Sequence, residues 1–189
     1  MNKASAPILI IACGLTGTGK STILNEVAEK TGFAILTSDR VRKALVGIKP
    51  EEHRYEAFDS GIYSKELSEK TYLHMIEEGK RLLLEGKSVI LDACFPKKWQ
   101  RDKAREAAAH ASAQFLCIEF TAPESEVKQR LDQRFETKDG ISDGRWEIYV
   151  AQKESFEESD DIISEEHLTV DTAAEKEECV KLILARLGR

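Results

Sequence analysis

The stretch PILIIACGLTGTGKS, residues 7–21, decides the fold of this chain. Its first part, residues 7–13, is a continuous apolar run, as expected for a strand buried on both faces of a parallel sheet. Its second part, Gly14 to Ser21, matches G-x-x-x-x-G-K-[ST] at every fixed position and lies between that strand and a predicted helix. A strand that leads into such a loop indicates a site for the phosphates of a nucleoside triphosphate.

The residue types of this loop explain the prediction. Glycines let the backbone wrap closely around phosphates, and the helix that follows adds the partial positive charge of its N-terminus. Lys20 would reach the β- and γ-phosphates, and the Ser21 hydroxyl would hold Mg²⁺. A glycine-rich turn without this role is the alternative. The predicted nucleotide-binding residues are Gly14, Leu15, Thr16, Gly17, Thr18, Gly19, Lys20, Ser21 and Thr22.

Outward from this stretch, short apolar runs alternate with longer segments of helical periodicity. The further predicted strands are 33–37, 88–92, 115–121 and 167–171. The predicted helices are 20–30, 39–45, 62–85, 97–110, 124–135, 145–158 and 173–187. This alternation predicts an α/β fold with a five-stranded parallel sheet and right-handed crossovers. Thr172 and Glu175 predict a capping box at the last helix.

Composition sets the broad class of the protein. The chain has 189 residues, a formal net charge of -6 and 41% hydrophobic residues, which argues against disorder and fits one domain over residues 1–189. No apolar run approaches the ~20 residues of a membrane span. The cysteines are far apart in sequence, which favours buried thiols in a reducing compartment over metal or disulfide roles. We therefore expect a cytoplasmic protein without a membrane partner.

Two segments fit poorly as simple connections. Residues 47–61 are long and contain Arg54, and residues 137–144 are short, polar and glycine-containing. Long connections in such a sheet often serve as lids. We predict a substrate cap at 47–61 and a flap at 137–144, with Arg54 and Tyr63 facing the substrate. For Tyr63, a place in the core is the alternative.

Two aspartates follow predicted strands at the edge where ligands bind in an open α/β sheet. Asp39 comes just after the second strand, where a carboxylate can accept a proton from an attacking hydroxyl. Asp92 ends the third strand, where an acidic residue can position Mg²⁺ beside the phosphate loop. In the usual order of such a sheet the third strand lies beside the first, which would bring Asp92 close to Ser21. For both aspartates, helix capping is the alternative.

Arg130 and Arg134 lie four residues apart, so they share one face of a predicted helix. At the base of the predicted flap they could neutralise charge on a transferring phosphoryl group. The alternative is a solvated face on which they pair with Glu126 and Asp132.

A second basic stripe consists of Lys97, Arg101 and Arg105. It could hold an anionic substrate or a nucleic acid, and a solvated basic face is the alternative. The strongly acidic residues 155–166 are predicted to be a solvated exit from the preceding helix.

With these residues identified, the chain resembles the P-loop kinase superfamily, in the branch with adenylylsulfate kinase, gluconate kinase, zeta toxin and polynucleotide 5′-hydroxyl kinases. It is most similar to a group of ATP-binding kinases that are sometimes fused to an aminoglycoside-phosphotransferase-like domain. The segments that carry the resemblance are SDRVRKALVG (38–47), GIYS (61–64), Thr71-Tyr72, SVILDACF (88–95), RLDQR (130–134) and Ser142-Asp143.

The resemblance implies a P-loop NTPase fold with strand order 2-3-1-4-5, helices on both faces and a small flap. It also implies ATP as donor and Mg²⁺ as cofactor. Asp39 would be the general base, Arg40 and Arg42 would face the substrate, and Arg130 and Arg134 would be lid arginines. Asp143 would close the lid motif. The adenine would lie near Arg134 and the loop after Asp171.

The sequence thus predicts an ATP- and Mg²⁺-dependent phosphotransferase that acts on an alcohol group of a small molecule. One alternative is a polynucleotide 5′-hydroxyl kinase that holds nucleic acid on the 97–105 stripe, although the acidic net charge disfavours it. The other is a nucleotide-dependent switch or coupling ATPase. Against it, no N-K-x-D motif follows the fourth strand.

Overall fold

The computed structural model describes residues 6–50, 52, 56, 59–137 and 143–189. Its centre is an all-parallel sheet of five strands in the order β2-β3-β1-β4-β5. The strands are β1 (Ile8–Cys13), β2 (Ala34–Thr37), β3 (Val89–Asp92), β4 (Gln114–Thr121) and β5 (His167–Asp171). Both the α/β class and the predicted strand order are confirmed.

The central strand β1 explains why the sheet is covered on both faces. Leu9 and Ile11 pack in one core layer with residues of the third and fourth helices, whereas Ile10 and Ala12 pack in the other with the first and last helices. Successive strand residues point to opposite faces, so a continuous apolar run needs two helical layers. The predicted burial of β1 on both faces is therefore confirmed.

Seven α-helices surround the sheet in the described part of the chain. They are α1 (Lys20–Thr31), α2 (Ser38–Leu45), α3 (Lys65–Leu84), α4 (Lys98–His110), α5 (Glu124–Thr137), α6 (Trp146–Ser155) and α7 (Lys176–Arg186). A third, smaller cluster packs α5 against α6 through Val127, Leu131 and Tyr149, and Leu15 of the phosphate loop lies against it. No described helix is both long and apolar enough to cross a bilayer.

The predicted capping box at Thr172 and Glu175 is wrong. Helix α7 begins at Lys176, after Glu175. The Thr172 hydroxyl instead donates to the carbonyls of Thr18 and Thr121, at 2.9 and 3.1 Å. Two parallel strands and the phosphate loop meet at this point. The Thr172 hydroxyl therefore bonds to carbonyls from distant parts of the chain and does not cap the helix that the sequence pattern predicted.

The prediction of a solvated acidic segment at 155–166 holds only in part, because most of its acidic side chains are exposed but the segment itself packs against the protein. This segment folds back on α4, and Ile162 and Ser159 are buried. Arg101 of α4 is fully buried, with its guanidinium 2.5 Å from a carboxylate oxygen of Asp161. It also donates to the carbonyls of Phe95, Glu157 and Glu158.

The flanking members of the basic stripe are engaged in the same way. Lys97 Nζ donates to the Ser155 carbonyl at 2.8 Å, and Arg105 Nε donates to the Glu166 carboxylate at 2.7 Å. The prediction of a basic stripe, for anions or for solvent, is wrong for Arg101, which is buried. Lys97 and Arg105 stay partly exposed and pair with the segment that follows α6.

Candidate active site

The phosphate loop has a backbone that only glycine adopts easily. Gly14, Gly17 and Gly19 have φ values of +129°, +81° and +81°, in the region where side chains are strained. A Cβ on Gly14 would lie 2.5 Å from the Phe120 carbonyl oxygen, and one on Gly17 would lie 2.8 Å from Leu131 Cγ. The loop is therefore wedged between β4 and α5, which fixes its path.

Lys20 lies within this loop at the first position of α1. Its ammonium donates to the carbonyls of Gly14 and Leu15, at 3.0 and 2.7 Å, and the residue is buried. These bonds hold one positive charge at the centre of the loop. Ser21 and Thr22 follow on the first turn of α1, and both are exposed.

Ser21 and Asp92 are brought together by the pairing of β1 with β3. Asp92 ends β3 and is 5% exposed. Burial raises the pKa of Asp92, while the nearby Ser21 side chain and the charge of Lys20 oppose that shift. A buried carboxylate beside a hydroxyl suits Mg²⁺, which in phosphate sites typically uses one or two carboxylates and the phosphates themselves.

Asp39 lies on the first turn of α2, at the same edge of the sheet. Its Oδ1 accepts from Arg42 Nη1 at 3.0 Å, and the Arg42 guanidinium lies 4.7 Å from the centre of the Tyr63 ring. Arg42 is buried. The structure thus places three predicted substrate residues in one contact network.

Tyr63 connects this network to Asp143, the residue predicted to close the lid motif. The Tyr63 hydroxyl donates to Asp143 Oδ2 at 2.7 Å. Burial raises the pKa of Tyr63, and the negative charges of Asp39 and Asp143 add to the shift. Lys43 Nζ lies 3.7 Å from the same oxygen of Asp143, and both side chains are almost fully buried.

Arg130 and Arg134 differ in their surroundings although both lie on α5. Arg130 donates to the hydroxyl and carbonyl of Thr172, at 2.9 and 2.7 Å, and pairs with Glu126 at 2.8 Å. Arg134 is half-buried, and its charge acts on Asp92. Among the described residues it has no hydrogen-bond or ion-pair partner. The alternative is a solvated face on which both arginines pair with acidic residues of the same helix. Of those pairs the described part of the chain contains only the one between Arg130 and Glu126.

A cavity of about 570 Å³ opens between the phosphate loop and Asp39. Its wall comes from α2, α3, α4, α6 and the loop after β3, and it includes Thr16, Asp39, Arg42, Tyr63, Tyr72, Cys94, Pro96, Trp99, Asp143, Ile148 and Gln152. This volume suits a small molecule. Arg40 is exposed and does not line it. Arg54 and flap residues 138–142 lie outside the described residues.

Three site residues escaped prediction from the sequence. Thr172 directly follows β5, so its place at the carboxyl edge of a strand was a usable signal. Lys43 is four residues from Asp39 on α2, which puts the two side chains on one helix face. Gln152 carried no signal, because its contact with the Thr16 amide depends on how α6 packs against the loop.

Comparison with protein families gives a match over most of the chain. A family model described as an AAA domain matches residues 9–159. Uncharacterized proteins of Mycobacterium bovis and Mycobacterium tuberculosis are 31% identical over 143 residues, which is 76% of this chain. The chain spans only 28% of the length of these curated relatives.

Several solved structures share the fold over nearly the whole chain. A gluconokinase from Sinorhizobium meliloti 1021 is 22% identical with a TM-score of 0.66, covering 97% of this chain and 93% of its own. The Mycobacterium tuberculosis APS kinase, solved with AMPPNP and APS, is 18% identical with a TM-score of 0.68, covering 97% and 99%. These likenesses confirm the P-loop NTPase fold.

Proposed function

The chain belongs to the AAA domain family, and on that premise we propose that it is a P-loop kinase that transfers the γ-phosphoryl group of ATP to an alcohol group of a small molecule. One observation carries the proposal: the cavity joins Thr16 of the phosphate loop to Asp39. A small acceptor in this cavity would lie between the transferable phosphate and a carboxylate that can take its proton.

Asp39 would act as the general base. Its carboxylate would accept the proton of the acceptor hydroxyl while the new P–O bond forms and the bond between the β- and γ-phosphates of ATP breaks. The Arg42 guanidinium holds one Asp39 oxygen at 3.0 Å, which leaves the second oxygen for the acceptor. Arg42 and Tyr63 would form the acceptor wall, and Arg40 and Arg54 remain predictions.

Lys20 and Arg134 would stabilise the charge on the phosphates. Lys20 is fixed at the centre of the loop, and Arg134 has no partner among the described residues to give up. Ser21 and Asp92 would hold Mg²⁺, which supplies neutralising charge to the β- and γ-phosphates when bound. Arg130 would act mainly by fixing α5 against Thr172 and Gly19.

The contacts of Asp143 support a role for the flap. Its carboxylate lies between Tyr63 and Lys43, so the described end of the predicted flap is fixed to the acceptor side of the site. A flap held here would cover the cavity and exclude water, which protects ATP from hydrolysis.

Two observations support a small acceptor. Arg101 and Arg105 of the basic stripe are paired with the 155–166 segment, which counts against the polynucleotide kinase alternative. The related structures named gluconokinase and APS kinase suggest a small acceptor, and AMPPNP in the latter supports ATP as donor.

A screen of alcohols and 5′-hydroxyl oligonucleotides for acceptor-dependent ADP release tests the proposal. Asp39→Asn should lower transfer about 10²- to 10⁴-fold, because the base is lost, while ATP affinity stays near that of the wild type. Asp132→Asn, on the exposed face of α5, is the matched control. Near-normal transfer by Asp39→Asn would rule out its role as base, and acceptor-independent hydrolysis that survives the change would favour the switch ATPase.

A further inference from the structure

Helix α6 contributes a polar side chain to the point where the phosphate loop meets the cavity. Ile148, Gln152 and Ser155 all line the cavity and lie on one face of the helix. Of these, Gln152 alone also contacts the loop, since its Oε1 accepts from the Thr16 amide at 2.9 Å. Gln152 therefore borders both the predicted ATP side and the predicted acceptor side.

The helix that carries Gln152 is held firmly in place. Tyr149 is buried against Val127 and Leu131 of α5, and Lys153 pairs with Glu124 at the start of α5 at 2.6 Å. The loop lies against the same cluster through Leu15. The Gln152 side chain thus starts from a backbone whose position relative to the loop is fixed.

The contacts of Gln152 also fix which way its amide faces. A backbone N–H needs an acceptor, so the atom that meets Thr16 must be the oxygen Oε1 and not the nitrogen Nε2. The Cys94 thiol donates weakly to the same oxygen at 3.9 Å. Nε2 makes no hydrogen bond to a described residue, so two N–H donors remain at the loop end of the cavity.

We infer that Gln152 is a substrate-contacting residue whose Nε2 donates a hydrogen bond to an oxygen of the γ-phosphoryl group. Its Oε1 bond to Thr16 sets the orientation of the amide for that contact. This inference rests on the proposed function for the identity of the donor nucleotide. A neutral donor at this position stabilises the phosphoryl oxygens without adding a charge to the cavity.

Two substitutions separate this role from that of a mere support for the loop. In Gln152→Glu the side chain keeps an oxygen for Thr16 but places a carboxylate where the donor was. In Gln152→Met both hydrogen bonds are lost without added charge. If Gln152 contacts the γ-phosphate, Gln152→Glu should be the more impaired variant. If Gln152 only supports the loop, Gln152→Met should be the more impaired one.

The measurement is the affinity for ATP and for ADP, each with Mg²⁺, at pH 8. We expect Gln152→Glu to weaken ATP roughly tenfold or more relative to ADP, since a donor to a charged group becomes a repelling charge. Gln152→Met should weaken ATP less, by a few-fold, and ADP affinity should change little in both. The same order should appear in the turnover number with an accepted alcohol. Gln133→Glu, on the exposed face of α5, controls for the added charge.

A Gln152→Glu variant that matches the wild type while Gln152→Met is impaired would overturn the inference and leave only support for Thr16. Equal losses of ATP and ADP affinity would overturn it too. Neither outcome bears on the proposed phosphoryl transfer, because the affinities for ATP and ADP are measured without an acceptor. If the wild type transferred to no alcohol but the ATP-specific loss remained, the γ-phosphate contact would stand and the proposed reaction would fall.

Discussion

Helices α4 and α5 carry the same sequence pattern and use it in opposite ways. Each has two arginines four residues apart, Arg101 and Arg105 on α4 and Arg130 and Arg134 on α5. On α4 the arginines fasten the 155–166 segment, whereas on α5 Arg134 acts on Asp92 through its charge and has no hydrogen-bond or ion-pair partner among the described residues. Spacing fixes which side chains share a face, but the segment that packs on that face decides what they do.

The difference follows from available acceptors. The acidic segment returns over α4 and offers Arg101 a carboxylate and two carbonyls, and Phe95 offers a third carbonyl. Burial opposes the charge of Asp161, but Arg101 holds the pKa of that carboxyl below its usual value. On α5, Glu126 and Thr172 satisfy Arg130, and no described acceptor reaches Arg134.

The largest expected effect is the loss of stability on removing the α4 anchor. Arg101→Met should lower the free energy of unfolding by about 3–5 kcal/mol, because it leaves Asp161 and three carbonyls without their partner. Denaturant titration measures the change. The double variant Arg101→Met with Asp161→Asn should recover only part of it, since the carbonyls stay unpaired. A loss of unfolding free energy below about 1 kcal/mol is typical of an exposed ion pair and would contradict the anchoring role of Arg101.

The next effect should appear in activity and hardly in stability. Arg134→Gln should reduce transfer about 10²-fold by removing one cation from the phosphoryl group, with an unchanged midpoint of thermal unfolding. Steady-state kinetics with the acceptor found by the screen measures it. Lys128→Gln, on the exposed side of the same helix, is the control and should stay near wild-type. If Arg134→Gln unfolded readily but kept its activity, the contrast between the two helices would collapse.

The smallest effect concerns the carboxylate that Arg134 influences. The folded pKa of Asp92 lies above the ordinary value of 3.8, so its ionised form costs stability as pH rises through the raised pKa. Without metal, Asp92→Asn should therefore be more stable than the wild type at neutral pH, and the gain should vanish in acid. Thermal unfolding across pH measures it. Since Arg134 lowers the pKa of Asp92, Arg134→Gln should raise that pKa further. The pH range over which the stability gain of Asp92→Asn develops should then extend to higher pH. A gain that grows in acid would contradict the sign.

The parts of this molecule that sequence could predict are those in which local pattern and tertiary position agree. The apolar run of β1 is sufficient to predict its burial on both faces, and the residues of the loop 14–21 are sufficient to predict phosphate binding. The strand order followed from the resemblance. Thr172 failed as a helix cap because strands from distant parts of the chain end beside it. Arg101 and Gln152 depend on partners about 60 and 136 residues away, and no short pattern records such a contact.

The Thr172 hydroxyl donates to a carbonyl of the phosphate loop across 154 residues of chain. During synthesis, the loop is made before Thr172, so a growing chain holds the glycines and Lys20 before the bond that secures Thr18 can form. That bond requires β5 to dock beside β4. Retention on an immobilised nucleotide would therefore separate molecules in which β5 has docked from chains stalled before β5, and would do so without any measurement of catalysis.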